Sequence, residues 1–157
     1  MPLTMSIEGH GSLSVSLNDH RHAPAVEACF AKGARARLHR AEPLPPEGSV
    51  GPPYGLVQMS LEGCDELRGL APGGVRIQRG DLCLIGGAAD LFVSLPRNGE
   101  HDGWEGGMTV VGRVEEPGLT EIAERRLLEL PKRNSTHPSG VIMSMLAAEI
   151  PVTLSKD

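Results

Sequence analysis

A mainly β fold is predicted by three features of this chain. From Gly11 to Asn18, Leu13, Val15 and Leu17 alternate strictly with Ser12, Ser14 and Ser16, the period-two pattern of a strand with one buried face. Further short apolar runs recur at Tyr54–Leu61, Leu82–Ile85, around Phe92–Leu95 and at Met108–Val114. Loops dense in the chain's 20 glycines and 13 prolines separate them, and these residues supply the backbone conformations that turns need.

The elements follow in order. After the first strand, Pro24 stands at a first helical position, Val26, Cys29 and Phe30 share a face, and Gly33 follows as a stop, which predicts a short helix over Pro24–Lys32. Ala34–Ala41 is a second strand. It runs into Pro43–Pro53, whose prolines and glycines exclude regular structure and place the segment at the surface as a rigid connection. Tyr54–Leu61 returns to strand character and Gly63–Gly74 is a loop. Val75–Ile77 and Leu82–Ile85 flank Gln78-Arg79-Gly80-Asp81, a tight-hairpin signal; the Arg-Gly-Asp tripeptide needs no further explanation than that turn. A strand around Phe92 and Leu95 leads to a Gly- and charge-rich loop over Pro96–Gly107, then to the strand Met108–Val114. Leu119, Ile122, Ala123, Leu127 and Leu130 recur at spacings of three and four, predicting a helix with one core-facing stripe that Pro131 ends. A polar connection follows, and Val141–Leu154 supplies one or two closing strands.

Composition bounds the function. A chain of 157 residues fits one domain, 1–157, able to bury its own core. With 39% hydrophobic and 22% charged residues it is too apolar for disorder. Aromatic residues are 3% of the chain, so Leu, Val, Ile, Met and Ala must build the core. A net charge of -5 and a pI near 5.7 argue against nucleic acid as a partner. The basic run Arg35, Arg37, His39 and Arg40 is explained as one exposed strand face. Cys29, Cys64 and Cys83 are odd in number and widely spaced, which suggests neither disulfides nor zinc and fits a reducing compartment such as the cytoplasm. Cys29 and Cys83 fall on apolar faces and Cys64 is the candidate exposed thiol. Met1–Gly11 lacks a signal-peptide core, and no run has the ~18 apolar residues of a membrane span. Asn134-Ser135-Thr136 belongs to a polar loop. His10, His20, His22, His39, His101 and His137 show no ligand spacing, no cofactor motif occurs, and no metal is expected.

Four motifs stand in one order. Leu38-His39-Arg40-Ala41-Glu42-Pro43 comes first, then the Pro-Tyr-Gly-Leu-Val-Gln run Pro53–Gln58, then the strand around Phe92, and then the Trp104 loop followed by Thr109-Val110-Val111-Gly112-Arg113-Val114. This resembles the cyclophilin family of peptidyl-prolyl cis-trans isomerases, in which the segments run FHRIIP, PGFMxQ, FFI, W and TVFGRV. The resemblance extends from about Gly11 to Leu154. It implies a closed eight-stranded antiparallel β-barrel capped by two helices, with Arg40 as catalytic residue and Leu56, Gln58, Phe92 and Trp104 binding substrate. Arg40 would stabilise the twisted prolyl amide, Gln58 would hydrogen-bond either Arg40 or the substrate carbonyl, Phe92 would floor the proline pocket, and Leu56 and Trp104 would wall it. Departures occur at Gly55, where the family has an aromatic residue, at Met59-Ser60 in place of Gly-Gly, at Met108 in place of histidine, at Val111, and in the shortened segment Gly86–Leu91. The implied activity is therefore a reduced isomerase acting on proline-containing segments. The rival expectation is a non-catalytic barrel docked in a larger protein assembly.

Overall fold

A computed structural model of the chain describes residues 2–43, 55–71, 76–95, 100–102, 108–138, 140 and 142–157. Its centre is a closed antiparallel barrel. The strands are β1 (Leu3–Ile7), β2 (Gly11–Leu17), β3 (Arg35–Glu42), β4 (Gly55–Leu61), β5 (Arg76–Gln78), β6 (Asp81–Ile85), β7 (Asp90–Leu95), β8 (Glu100–Asp102), β9 (Met108–Val114), β10 (Lys132–Thr136) and β11 (Ile142–Lys156). Neighbours run β1-β2-β9-β6-β7-β4-β3-β11, and the β1–β11 pairing closes the ring at eight strands. β10 extends this sheet beyond β11, while β5 and β8 form a separate ribbon. The expected mainly β, eight-stranded antiparallel barrel is the fold of the chain.

Alternation sends one set of side chains inward. Leu13 and Val15 of β2, Val57, Met59 and Leu61 of β4, and Leu91, Val93 and Leu95 of β7 join a single core. The helix α1 (Ala23–Ala31) adds Val26, Cys29 and Phe30 to it, as the Pro24–Lys32 spacing predicts. The second helical segment departs from the expected Leu119–Leu130 α-helix. It comprises a π-helical turn at Leu119–Glu124 and a 3-10 turn at Leu127–Glu129. Leu119, Ala123 and Leu127 still enter the core. Thr120, the acceptor of the wide bond from Arg125 N, is also held by Glu116 and by Arg79 across the fold, so tertiary contacts shape this turn.

Four expectations are corrected by the topology. Leu3–Ile7, outside the expected strands, is β1, with Leu3, Met5 and Ile7 buried. Gln78–Asp81 is a turn but not a hairpin: β5 pairs with β8, whereas β6 pairs with β7 and β9. Asp81 Oδ2 accepts the Gln78 amide at 2.8 Å and the Ser94 carbonyl accepts that of Gly80 at 2.9 Å, which ties the turn to the barrel as the chain passes between sheets. The expected Pro96–Gly107 loop contains β8. The polar stretch holding Asn134-Ser135-Thr136 is β10, paired along its length with β11. Gly112 has a different constraint: a Cβ there would lie 2.3 Å from the Ser16 carbonyl oxygen, so this position admits the close β2–β9 approach. Among the described residues, no helix is long and apolar enough to cross a membrane.

Candidate functional site

The site begins with a bulge in β3. Ala36 and Leu38 point into the core, and so does Ala41, three residues after Leu38 where strict alternation would give two or four. The register against β4 slips between Leu38↔Met59 and Arg40↔Gln58, leaving His39 without an opposite residue. On the other side, β11 slips between Met145↔Arg40 and Ile150↔Leu38. A bulge residue reverses the phase of a strand. Arg40 and Glu42 are thereby turned to the outer barrel face, where unbroken alternation would have put Arg40 in the hydrocarbon core.

On that face the strands bring a polar row together. Arg40 Nε donates to Glu42 Oε2 at 2.9 Å, and its Nη1 to Gln58 Oε1 at 3.2 Å. Gln58 Nε2 donates to Asp90 Oδ2 at 2.7 Å. Glu42 Oε2 also accepts the Ser144 amide at 3.0 Å, fixing the carboxylate from β11. His39 Nε2 lies 2.9 Å from Ser60 Oγ and 3.6 Å from Asp90 Oδ2. Burial pushes the Asp90 carboxyl up, but hydrogen bonds from His39, Gln58 and Ser60, together with the charge on His39, hold it below its ordinary value.

Beside the polar row lies an apolar one. Leu56, Phe92, Cys83, Met108 and Ile77 form a second buried cluster, with Ile85 and Val110 against it. Leu56, Phe92 and Cys83 each alternate with residues of the inner core, so this cluster is on the outside of the barrel. The pairs Arg40↔Gln58 and Gln58↔Phe92 are directly opposed. Arg40 and Phe92 therefore share a face two strand spacings apart, roughly 10 Å. Phe92 and Leu56 are not open to solvent, being 1% and 2% exposed, with Ile77 of the β5–β8 ribbon packed on them.

The structure thus brings Arg40, Gln58, Leu56 and Phe92 to one face. Trp104 lies outside the described residues, as do Tyr54 and the 44–53 part of the proline-rich segment. The basic run is split: Arg35 and Arg37 are exposed, and Arg37 pairs with Glu62 and Glu149, but Arg40 is buried at 8% exposure. Glu42, Asp90 and His39 were not singled out by the sequence as partners of Arg40. Glu42 meets Arg40 from two residues along β3, Asp90 reaches it through Gln58 across β4 and β7, and His39 is the bulge residue beside it; a bulge cannot be seen in a linear pattern. Cys64 is fully buried, contrary to its expected exposure, because the turn after β4 folds it against α1.

The polar row suits positioning and charge stabilisation better than acyl transfer. A Ser-His-Asp relay uses the two imidazole nitrogens on opposite partners. Here Ser60 and Asp90 both approach Nε2, and His39 Nδ1 is buried without a partner among the described residues. A guanidinium held by a carboxylate and an amide, next to an apolar patch, can instead bind a peptide group whose flanking side chain is apolar. A scan against protein-family models and a search of curated proteins found no match to the chain.

Proposed function

We propose that this barrel binds proline-containing peptide segments at its outer face and acts on them as a slow peptidyl-prolyl cis-trans isomerase of cyclophilin type, in a reducing compartment such as the cytoplasm. The reading is carried by one observation: Arg40, Gln58 and Phe92 are consecutive cross-strand partners on one face of β3, β4 and β7. Rotation about a prolyl amide meets a barrier of about 18–20 kcal/mol because the nitrogen lone pair is conjugated with the carbonyl. In the twisted state that lone pair is localised and becomes an acceptor. A guanidinium that donates to it favours the twisted form over both planar ones, which is all that catalysis requires. Arg40 would supply that donor, Gln58 would hold its orientation, and Phe92 with Leu56 would receive the pyrrolidine ring.

Two features favour a second reading, a non-catalytic module that docks a proline-containing segment of a partner within a larger assembly. Glu42 shares the charge of Arg40 at 2.9 Å, weakening the field it would exert on a prolyl nitrogen. Ile77 belongs to the same buried cluster as the ring that would receive proline, and that ring is 1% exposed.

Exchange NMR on an X-Pro peptide separates the two. With wild-type protein, cis-trans exchange accelerates, and Arg40→Ala removes about a hundredfold of the acceleration, the usual loss on deleting a transition-state donor. Unchanged exchange beside wild-type protein would eliminate the isomerase. Peptide chemical-shift changes without acceleration would leave the docking module.

A further inference from the structure

Away from the outer face, the fold joins two thiols that are far apart in sequence. Cys29 lies in the last turns of α1 and Cys64 immediately precedes the 3-10 turn Asp65–Gly69. Gly63, at φ +70, takes the left-handed conformation that glycine adopts most readily and folds the chain back on the helix. The two Sγ atoms and a Glu66 carboxylate oxygen all lie within 4.8 Å of one another. Both cysteines are fully buried, Glu66 is exposed, and Lys32 Nζ stands 3.5 Å from Glu66 Oε1 while donating to the Gly63 carbonyl.

We infer that Cys29, Cys64 and Glu66 form a binding site for a thiophilic divalent metal ion of the zinc class. Geometry is the first argument. Bonds of about 2.3 Å to sulfur and 2.0–2.2 Å to oxygen place tetrahedral ligand atoms about 3.5–3.8 Å apart, so a set lying within 4.8 Å needs to contract by at most about 1.3 Å. Chemistry is the second: two sulfurs select zinc-like ions over magnesium or calcium, which want oxygen. Charge is the third. Two thiolates and a carboxylate exceed a dication by one negative charge, and the Lys32 ammonium beside Glu66 restores neutrality as an outer partner. Metal thiolates form from thiols with loss of their protons, so binding exchanges the thiol protons for the ion. The exposed side of Glu66 leaves the fourth coordination position to solvent, the pattern of an open zinc site.

Cobalt is the probe. The full chain, reduced and stripped with chelator, is titrated with Co²⁺ and then with Zn²⁺ in competition. One equivalent of Co²⁺ gives sulfur-to-cobalt charge transfer in the near ultraviolet and tetrahedral d–d bands in the red, which Zn²⁺ erases. Cys64→Ala abolishes the charge transfer, Cys83→Ser leaves it intact, and Lys32→Met weakens affinity about tenfold or more, as loss of an outer partner does. Circular dichroism of each variant checks that the barrel persists; if Cys64→Ala unfolds, Glu66→Gln takes its place and must weaken affinity while retaining the sulfur band. No charge-transfer band with reduced thiols present, or a band that survives Cys64→Ala in a folded protein, overturns the site. So does recovery of the pair as a Cys29–Cys64 disulfide that takes up no Co²⁺ even after reduction.

Discussion

At the scale of single residues, Arg40 depends on His39. The bulge at His39 brings Arg40 onto the outer face, and the carboxylates of Glu42 and Asp90, one directly and one through Gln58, set its surroundings. Such a network is costly to break in part, since a buried carboxylate without its partners has to bear its own desolvation. Asp90 also gives the fold an acid-sensitive point. Its folded-state carboxyl binds protons less tightly than the unfolded one, so its contribution is complete above the ordinary value of 3.8 and is lost as pH falls through the lower folded value. Asp90→Asn should lower the denaturation midpoint at neutral pH and flatten the stability decline below pH 3.8; urea titrations at stepped pH test this, and an unchanged acid limb would remove Asp90 from the account. Arg40 and Gln58 could be picked from the sequence because their motifs occur in a recognisable order. His39 and Asp90 could not, because their roles depend on a bulge and on which strands adjoin in what register, whereas Glu42 follows Arg40 by two residues on the same strand.

At the scale of elements, the β5–β8 ribbon decides how much of the outer face is accessible. Ile77 is fully buried on Leu56, Phe92, Cys83 and Met108. Ile77→Ala should cost about 2–5 kcal/mol, as for other truncations of buried aliphatic residues. It should also strengthen binding of a proline peptide by uncovering the Phe92 ring; calorimetry on a folded variant would show this, and unchanged affinity would mean that the ribbon does not cover the binding surface. The ribbon was hard to foresee because Gln78-Arg79-Gly80-Asp81 has good hairpin chemistry. That chemistry fixes a turn, but the choice of partner strand belongs to the apolar patch that must be covered. β10 escaped notice for a related reason: Lys132–Thr136 is polar on both faces and pairs through its backbone. By contrast, the Leu3, Met5 and Ile7 alternation of β1 was present to be read.

At the scale of the whole molecule, closure is the main structural fact. β1 joins β2 on one side and β11 on the other, so it removes two open edges at once. Deleting Leu3–Ile7 should remove three buried side chains worth about 1.5–3 kcal/mol each, a large part of the ~5–15 kcal/mol that holds a domain folded. A lost cooperative melt and larger species on size exclusion are expected; a monomer with an unshifted melting point would show that the ring does not need this strand. The fold class was readable because strand periodicity and loop composition agree along most of the chain. Barrel closure came from family resemblance, since periodicity alone does not show which edges meet.

The strand β11 imposes an order on biosynthesis. β11 spans 15 residues and pairs with β1, β3 and β10, and it faces Arg40 through Met145. While residues 142–156 are still inside the ribosome, the nascent β1–β2 hairpin and the β3 edge have no partner there, and Ser144 cannot yet anchor Glu42. The polar network on the outer face can be completed only after translation has delivered those residues, which places its completion after the emergence of β1 to β10.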